Sequence, residues 1–165
     1  MEFSIRESEH EFIAVDVLGY ERAPVGEYYD DNWLRVKICV AGGGFRGSAS
    51  AAILSDELAQ FTSQLRRLFE NLSGSAKLST MEGQLELSLT CDKMGCIALA
   101  GFVKDRPGPG YRLDFALRLD QSHLIGTLAQ LDSIAANFPI RQPNQSPGPT
   151  LASGTSPAGQ EPRHR

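Results

Sequence analysis

Long apolar runs and closely spaced cysteines are both missing from this chain of 165 residues. No apolar stretch approaches the roughly 18–20 residues that a membrane-spanning helix needs, so we predict no membrane contact. The first eleven residues carry four glutamates and no apolar stretch, and we therefore expect no secretion signal. The three cysteines show no CxxC spacing. This favours free thiols and a cytoplasmic location over a disulfide-bonded protein.

Motifs of enzymes and metal sites are equally scarce. His10, His123 and His164 stand far apart and lack the spacing of a metal-binding motif. The chain contains no GxSxG or Walker sequence, and its one glycine triplet, 42–44, joins two alternating segments. A hairpin turn explains such a triplet better than a phosphate-binding loop. We therefore predict no catalytic residue, no cofactor and no metal ion.

Three carboxylates leave an enzymatic alternative open. Glu82, Glu86 and Asp114 are expected on one open sheet face, together with basic residues: Arg35, Lys37, Arg112 and Arg118. Paired acids can act as general acid and base, as in a hydrolase. Ion pairs between neighbouring strands account for the same residues, and we favour that interpretation.

The pattern that the chain does have occurs twice. A strand, a glycine-bearing turn, a second strand and an amphipathic helix run over 33–72 and again over 95–138. A shift of 66 positions lays Phe45 on Tyr111 and Gln64 on Gln130. Further alternating segments precede and follow the first copy. The pattern predicts an α+β fold, with a mostly antiparallel β-sheet of about six to eight strands and two amphipathic helices packed on one face.

Local signals set the ends of these elements. An apolar stripe marks the first helix: Leu58, Phe61, Leu65, Leu68, Phe69 and Leu72. We predict that Ser55 caps its start and that Gly74 ends it in a left-handed conformation. Asp120 or Ser122 is the predicted cap of the second helix, which stops at Pro139. On the strand before the first helix, Phe45 is assigned to the buried face.

Charge and composition divide the chain. Residues 1–139 are predicted to form one domain, whereas 140–165 are rich in Pro, Gly and Ser and are predicted to be a disordered tail. Up to Asn32 there are nine acidic and two basic residues, a balance of −7, although the whole chain carries only −4. Such an acidic segment argues against nucleic-acid binding and favours a basic protein partner. Solvation of an exposed edge explains the same charges equally well.

The segment before the only tryptophan is the candidate partner-binding site. Glu27, Tyr28, Tyr29, Asp30 and Asp31 combine aromatic anchors with acids that can pair with a partner's Lys or Arg. The alternative is that Trp33 and one of the two tyrosines cover one end of the core beneath the loop.

Structural motifs over about 31–138 resemble the WapI-type immunity proteins and related uncharacterised domains of actinobacteria. The matching residues are 32–36, 44–47, Leu58, Phe61, Leu65, Leu68, 81–83, Leu85, Leu87, Gly95, 113–124 and 130–131. The resemblance implies a non-catalytic protein that binds and blocks the nuclease domain of a contact-dependent toxin. It transfers no interface residue. A regulatory module with a small-molecule ligand is the alternative from the residues alone.

Overall fold

The computed structural model describes residues 1–92 and 94–142. Its eight strands form two four-stranded antiparallel sheets, each with its strands in chain order. The first sheet contains β1 (Glu2–Arg6), β2 (Phe12–Tyr20), β3 (Trp33–Gly42) and β4 (Phe45–Leu54). The second contains β5 (Gly74–Ser79), β6 (Leu85–Cys91), β7 (Cys96–Lys104) and β8 (Arg112–Asp120). The helices are α1 (Tyr28–Asp31), α2 (Ser55–Asn71) and α3 (Leu124–Asn137), the last preceded by a 3₁₀ turn (Gln121–His123).

The α+β class is confirmed. The strands divide into two sheets, because each half of the molecule consists of four strands followed by a helix, and the predicted repeat covers the last two strands and the helix of each half. Each helix leaves its own sheet and packs along the first strand of the other sheet, α2 on β5 and α3 on β1. The helices also contact each other, and Arg66 Nη2 lies 2.6 Å from Asp132 Oδ1, between positions that the 66-residue shift superposes. The helix of each half therefore packs on the sheet of the other half, and this joins the two halves.

One apolar core fills the space between the sheets and the helices. Alternate residues of every strand face it, and Phe3, Phe61, Ile38 and Leu87 are among the side chains with less than 2% exposure. Among the described residues, no helix is long and apolar enough to cross a membrane. The predicted tail lies outside the described residues from position 143 onward.

Several predicted helix ends differ from the structure. Leu54 is the N-cap of α2, because the Glu57 carboxylate accepts its N–H at 2.9 Å; Ser55 is the buried first helical residue. Leu72, with φ 50°, takes the left-handed position and is 43% exposed, so the stripe ends before it. Phe45 is 80% exposed, because it follows the turn directly at an end of the sheet that neither helix covers.

Side chains from the opposite half contact both first strands at their free edges. The Ser4 N–H of β1 donates to Gln130 Oε1 at 3.0 Å, and the Lys77 N–H of β5 donates to Gln64 Oε1 at 2.9 Å. The two glutamines are the pair that the repeat superposes. Unpaired strand edges invite association with other chains, so these contacts protect the fold.

The last strands of the two sheets are contacted by turns instead of helices. The turn before β6 supplies Gln84, whose Nε2 donates to the Ser50 carbonyl of β4 at 3.1 Å. The turn between β1 and β2 supplies Glu7, whose carboxylate accepts the Arg118 N–H of β8 at 3.1 Å. A side chain of the other half thus contacts each of the four sheet edges.

Candidate functional site

The predicted partner-binding residues lie in the loop of residues 21–32 that joins β2 to β3. Asp31 is only 3% exposed, and its two carboxylate oxygens accept the N–H groups of Val25, at 2.6 Å, and Gly26, at 2.8 Å. A carboxylate that accepts two backbone bonds fixes the local chain path. Asp31 therefore holds the loop backbone in position and offers no free carboxylate to a partner.

Asn32 anchors the loop to the rest of the molecule. It is fully buried, and its Nδ2 donates to the carbonyls of Tyr28, at 2.7 Å, and Arg141, at 2.9 Å. Its Oδ1 accepts the Ser55 hydroxyl at 3.0 Å and the Arg141 N–H at 2.7 Å. One amide thus joins α1, the start of α2 and the segment after α3, and uses both donors and both acceptor positions.

Arg141 covers the other side of the loop. Its guanidinium lies 3.4 Å from the centroid of the Tyr20 ring and donates to the carbonyls of Arg22, at 3.1 Å, and Asp31, at 3.2 Å. Burial raises the pKa of Tyr20, while the neighbouring guanidinium opposes that shift. These contacts hold the loop in one conformation.

The exposed part of the loop is a one-turn helix with two aromatic rings. Tyr29 is 59% exposed and meets the half-buried Tyr28 edge to face, with centroids 5.5 Å apart. Desolvation, and then the charges of Asp56 and Tyr29, raise the pKa of Tyr28, so its hydroxyl stays protonated at neutral pH. Glu27 is exposed, and Asp30 pairs with Arg22 at 2.9 Å. The structure thus brings four of the five predicted residues to the surface side of the loop.

The half-buried Trp33 lines a cleft of about 650 Å³ beside this loop. Its charged lining residues are balanced in sign: Glu21, Arg22, Arg35, Glu82, Asp105 and Arg106. This open cleft, which both charged and apolar side chains line, has room for a small molecule or for a side chain of a partner.

The three carboxylates considered for catalysis do not converge. Glu86 pairs with Lys77 of the neighbouring strand at 3.2 Å, and Asp114 pairs with Arg112 at 2.6 Å. The Arg112 hydrogen bond lowers the pKa of Asp114, whereas Glu82 lies in the turn before β6 and lines the cleft. Glu86 and Asp114 therefore each have a cation, but only the Glu86–Lys77 pair joins neighbouring strands as predicted, because Arg112 and Asp114 both belong to β8.

The remaining candidate groups are dispersed. Cys39, Cys91 and Cys96 are free thiols. His123 Nδ1 contacts the Asp120 backbone at 3.2 Å, His10 is exposed in a turn, and His164 lies outside the described residues. Within residues 1–92 and 94–142, no three His, Cys, Asp or Glu side chains lie close enough together to hold a metal ion.

Sequence reasoning missed an apolar opening between β4 and β8. Phe45 is 80% exposed, Tyr111 is 85% exposed and Leu113 is 37% exposed, and they line two adjoining hollows of about 270 Å³ and 130 Å³. Gly47 lies beside Leu113 here, and a Cβ at position 47 would be 3.4 Å from Leu113 Cδ2, an ordinary van der Waals contact. The signal was present: the repeat superposes Phe45 on Tyr111, and each aromatic follows a turn directly.

One comparison with known proteins identifies a family. The model of the immunity protein WapI-like family matches residues 4–139. No curated protein matches the chain. Among solved structures, the crystal structures of Trypanosoma brucei MRP1/MRP2 are similar over 84% of this chain and 86% of that chain, with 13% identity and a TM-score of 0.41. That similarity is too low to support an argument about function.

Proposed function

The chain belongs to the WapI-like immunity protein family, and from that premise we propose that it binds and blocks the basic, nuclease-type domain of a cognate toxin in the cytoplasm. Family membership gives the role of an immunity protein and a toxin as the partner. Neutralisation in this proposal is masking of the toxin surface, without catalysis. The observation that carries it is the family match over nearly all the described residues.

Charge supports a basic partner. Of the nine acids up to Asn32, Glu2, Asp16 and Asp30 are in ion pairs and Asp31 is buried. The other five have no ion pair among the described residues: Glu7, Glu9, Glu11, Glu21 and Glu27. Nucleases present positive clefts to phosphate, and a negative surface raises the rate of encounter with such clefts.

We place the contact on the 21–32 loop, through Glu27, Tyr28, Tyr29 and Asp30, with Asp31 holding their backbone in position. The loop is rigid because Asn32 and Arg141 fasten it, so little conformational entropy is lost on binding. Tyr29 is a largely exposed aromatic residue, a type that is common among binding hot spots.

The test is co-expression with the toxin domain encoded beside this protein, followed by calorimetry of the purified pair. Wild type is expected to rescue growth and to form a complex, and Tyr29→Ala is expected to weaken the complex by about 2 kcal/mol. Tyr111→Ala is the matched control, since Tyr111 is even more exposed and directly precedes β8 of the other sheet. No rescue and no complex contradict the function. Loss of affinity with Tyr111→Ala but not with Tyr29→Ala shows that the toxin binds at the β4–β8 opening instead of the loop.

The cleft beside Trp33 favours a second candidate, a regulatory module that binds a small molecule. Its volume of about 650 Å³ lies within the range of ligand pockets. A ligand that binds the folded state raises the melting temperature. A metabolite screen by thermal shift separates the two functions, because Trp33→Ala is expected to abolish a ligand-induced shift and to leave toxin rescue intact.

A further inference from the structure

The free edge of β8 carries a pattern of charges that is complementary to itself. Two side-chain contacts show which backbone groups face outward: the Arg118 N–H donates to Glu7, and the Asp120 N–H donates to His123 Nδ1. Because outward groups alternate along an antiparallel strand, the amides of Arg112, Asp114 and Ala116 face the same way. Arg112, Asp114, Ala116 and Arg118 are exposed.

We propose that two copies of this protein associate through β8 in an antiparallel register centred on Ala116. In that register Ala116 lies opposite Ala116 of the second copy, and Asp114 lies opposite Arg118 of the second copy. Arg112 lies opposite Asp120 of the second copy. The facing pairs on the core side are apolar, with Phe115 opposite Leu117 of the second copy. Such a contact is a two-fold interface, in which each chain uses the same surface.

Charge selects this register over its neighbours. Sliding the second copy by two residues places either Arg112 opposite Arg118 or Asp114 opposite Asp120. Sliding it by four residues places Asp114 or Arg118 opposite its own copy. Like charges directly opposite each other destabilise a sheet, whereas opposite charges stabilise it. Only the register centred on Ala116 has opposite charges at every charged pair.

Backbone geometry agrees with the same register. Residues with outward amides meet each other, so Ala116 and its copy exchange two N–H···O bonds, as do Asp114 and Arg118 of the second copy. The Asp120 N–H already donates to His123 Nδ1, so Arg112 and Asp120 of the second copy interact through their charged side chains rather than through backbone bonds. Ala116 contributes a small side chain at the two-fold axis, where two strands must approach closely.

Glu7 controls access to the edge. Its exposed carboxylate accepts the Arg118 N–H. In the dimer the same N–H donates instead to the Asp114 carbonyl of the second copy. The turn that carries Glu7 therefore moves aside when the strands pair. Removing the carboxylate by Glu7→Ala is expected to strengthen the dimer, because the amide then has only the second copy as a partner.

The first experiment is sedimentation equilibrium of the full chain with a charge-reversal cycle. Wild type is expected to show a concentration-dependent monomer–dimer equilibrium, and Asp114→Arg and Arg118→Asp are each expected to weaken it about tenfold. The double variant Asp114→Arg/Arg118→Asp restores opposite charges and is expected to regain association close to wild type. Lys77→Glu reverses a charge on the same sheet face, at the far strand, and is expected to leave association unchanged.

A cross-linking experiment tests the two-fold centre. Facing Cα atoms of such a pair lie about 5.5 Å apart, within the range of a disulfide, so Ala116→Cys is expected to form a covalent dimer on oxidation. Ala100→Cys is the control, since Ala100 pairs with Ala116 one strand inward on the same exposed face. A wild type that stays monomeric at all concentrations overturns the proposal, as does a double variant that fails to regain association. Cross-linking of Ala100→Cys as efficient as that of Ala116→Cys overturns the register.

Discussion

Asn32 is the single residue on which the 21–32 loop most depends. Replacing it with Ala removes the acceptor of the Ser55 hydroxyl and of the Arg141 N–H. It also removes the two N–H donors, one to the Tyr28 carbonyl of α1 and one to the Arg141 carbonyl. Buried groups that lose their partners carry the full cost of desolvation, so we expect Asn32→Ala to lower the free energy of unfolding by about 2–4 kcal/mol. Urea denaturation measures this. Asn71→Ala, at the exposed end of α2, is the control and is expected to have little effect.

Glu57 gives stability a specific dependence on pH. Burial raises the pKa of its carboxyl above the ordinary 4.5, although the N–H groups of Leu54 and Met81 partly offset this. The folded state thus binds the proton more tightly than the unfolded chain. The resulting stabilisation is fully present below pH 4.5 and is lost as pH rises through the higher folded-state pKa.

The comparison with Glu57→Gln isolates that effect, because glutamine does not titrate. The difference in free energy of unfolding, wild type minus Glu57→Gln, is expected to become more favourable to wild type as the pH falls from neutral to below 4.5. Urea melts at a series of pH values measure it. A difference that stays constant, or that changes in the opposite direction, contradicts the raised pKa.

At the level of elements, the two glutamines that the repeat superposes offer a matched pair. Gln130→Leu leaves the N–H of the buried residue Ser4 in β1 without an acceptor, whereas Gln64→Leu does the same to the N–H of the exposed residue Lys77 in β5. Water can replace the lost acceptor at Lys77 more easily. We therefore expect Gln130→Leu to cost about 1–3 kcal/mol and Gln64→Leu less than 1 kcal/mol, measured by urea denaturation. Equal costs contradict the difference in burial.

The alternation of apolar residues predicted these elements well, because every strand has one face on the core and the helical stripes are continuous. The exchange of helices between halves was not predictable, since a stripe does not specify which sheet it covers. Ser55 was predicted as a cap because serine often fills that role, yet the nearby Asn32 binds its hydroxyl. Phe45 continued the buried alternation, and only the tertiary structure leaves it uncovered.

The candidate site was partly visible in the sequence. Aromatic and acidic residues in 27–31 indicated a surface segment, and Tyr29 is exposed there. The local pattern could not show that Asp31 turns inward, because its partners are backbone amides that only the folded loop brings near. Arg141 lies over a hundred positions away, so its contact with Tyr20 left no local signal.

At the scale of the whole molecule, the free acids of the N-terminal quarter form two groups. Glu7, Glu9 and Glu11 lie at one end of β2, and Glu21 and Glu27 lie beyond the other end. A strand of nine residues separates the groups by about 30 Å, roughly three Debye lengths at 0.1 M salt. A toxin seated on the 21–32 loop therefore experiences mainly the second group.

This separation predicts different association rates for two matched double variants. Glu21→Gln/Glu27→Gln is expected to slow association with the toxin domain several-fold at low salt, whereas Glu9→Gln/Glu11→Gln changes it little. Stopped-flow measurements over a range of salt concentrations test this, and the gap between the variants is expected to close as salt screens the charges. Dissociation rates stay nearly unchanged, because rim charges act on encounter more than on the bound state. A larger effect of the Glu9/Glu11 pair places the toxin at the other end of β2, beside the β4–β8 opening, and refutes the loop as the contact.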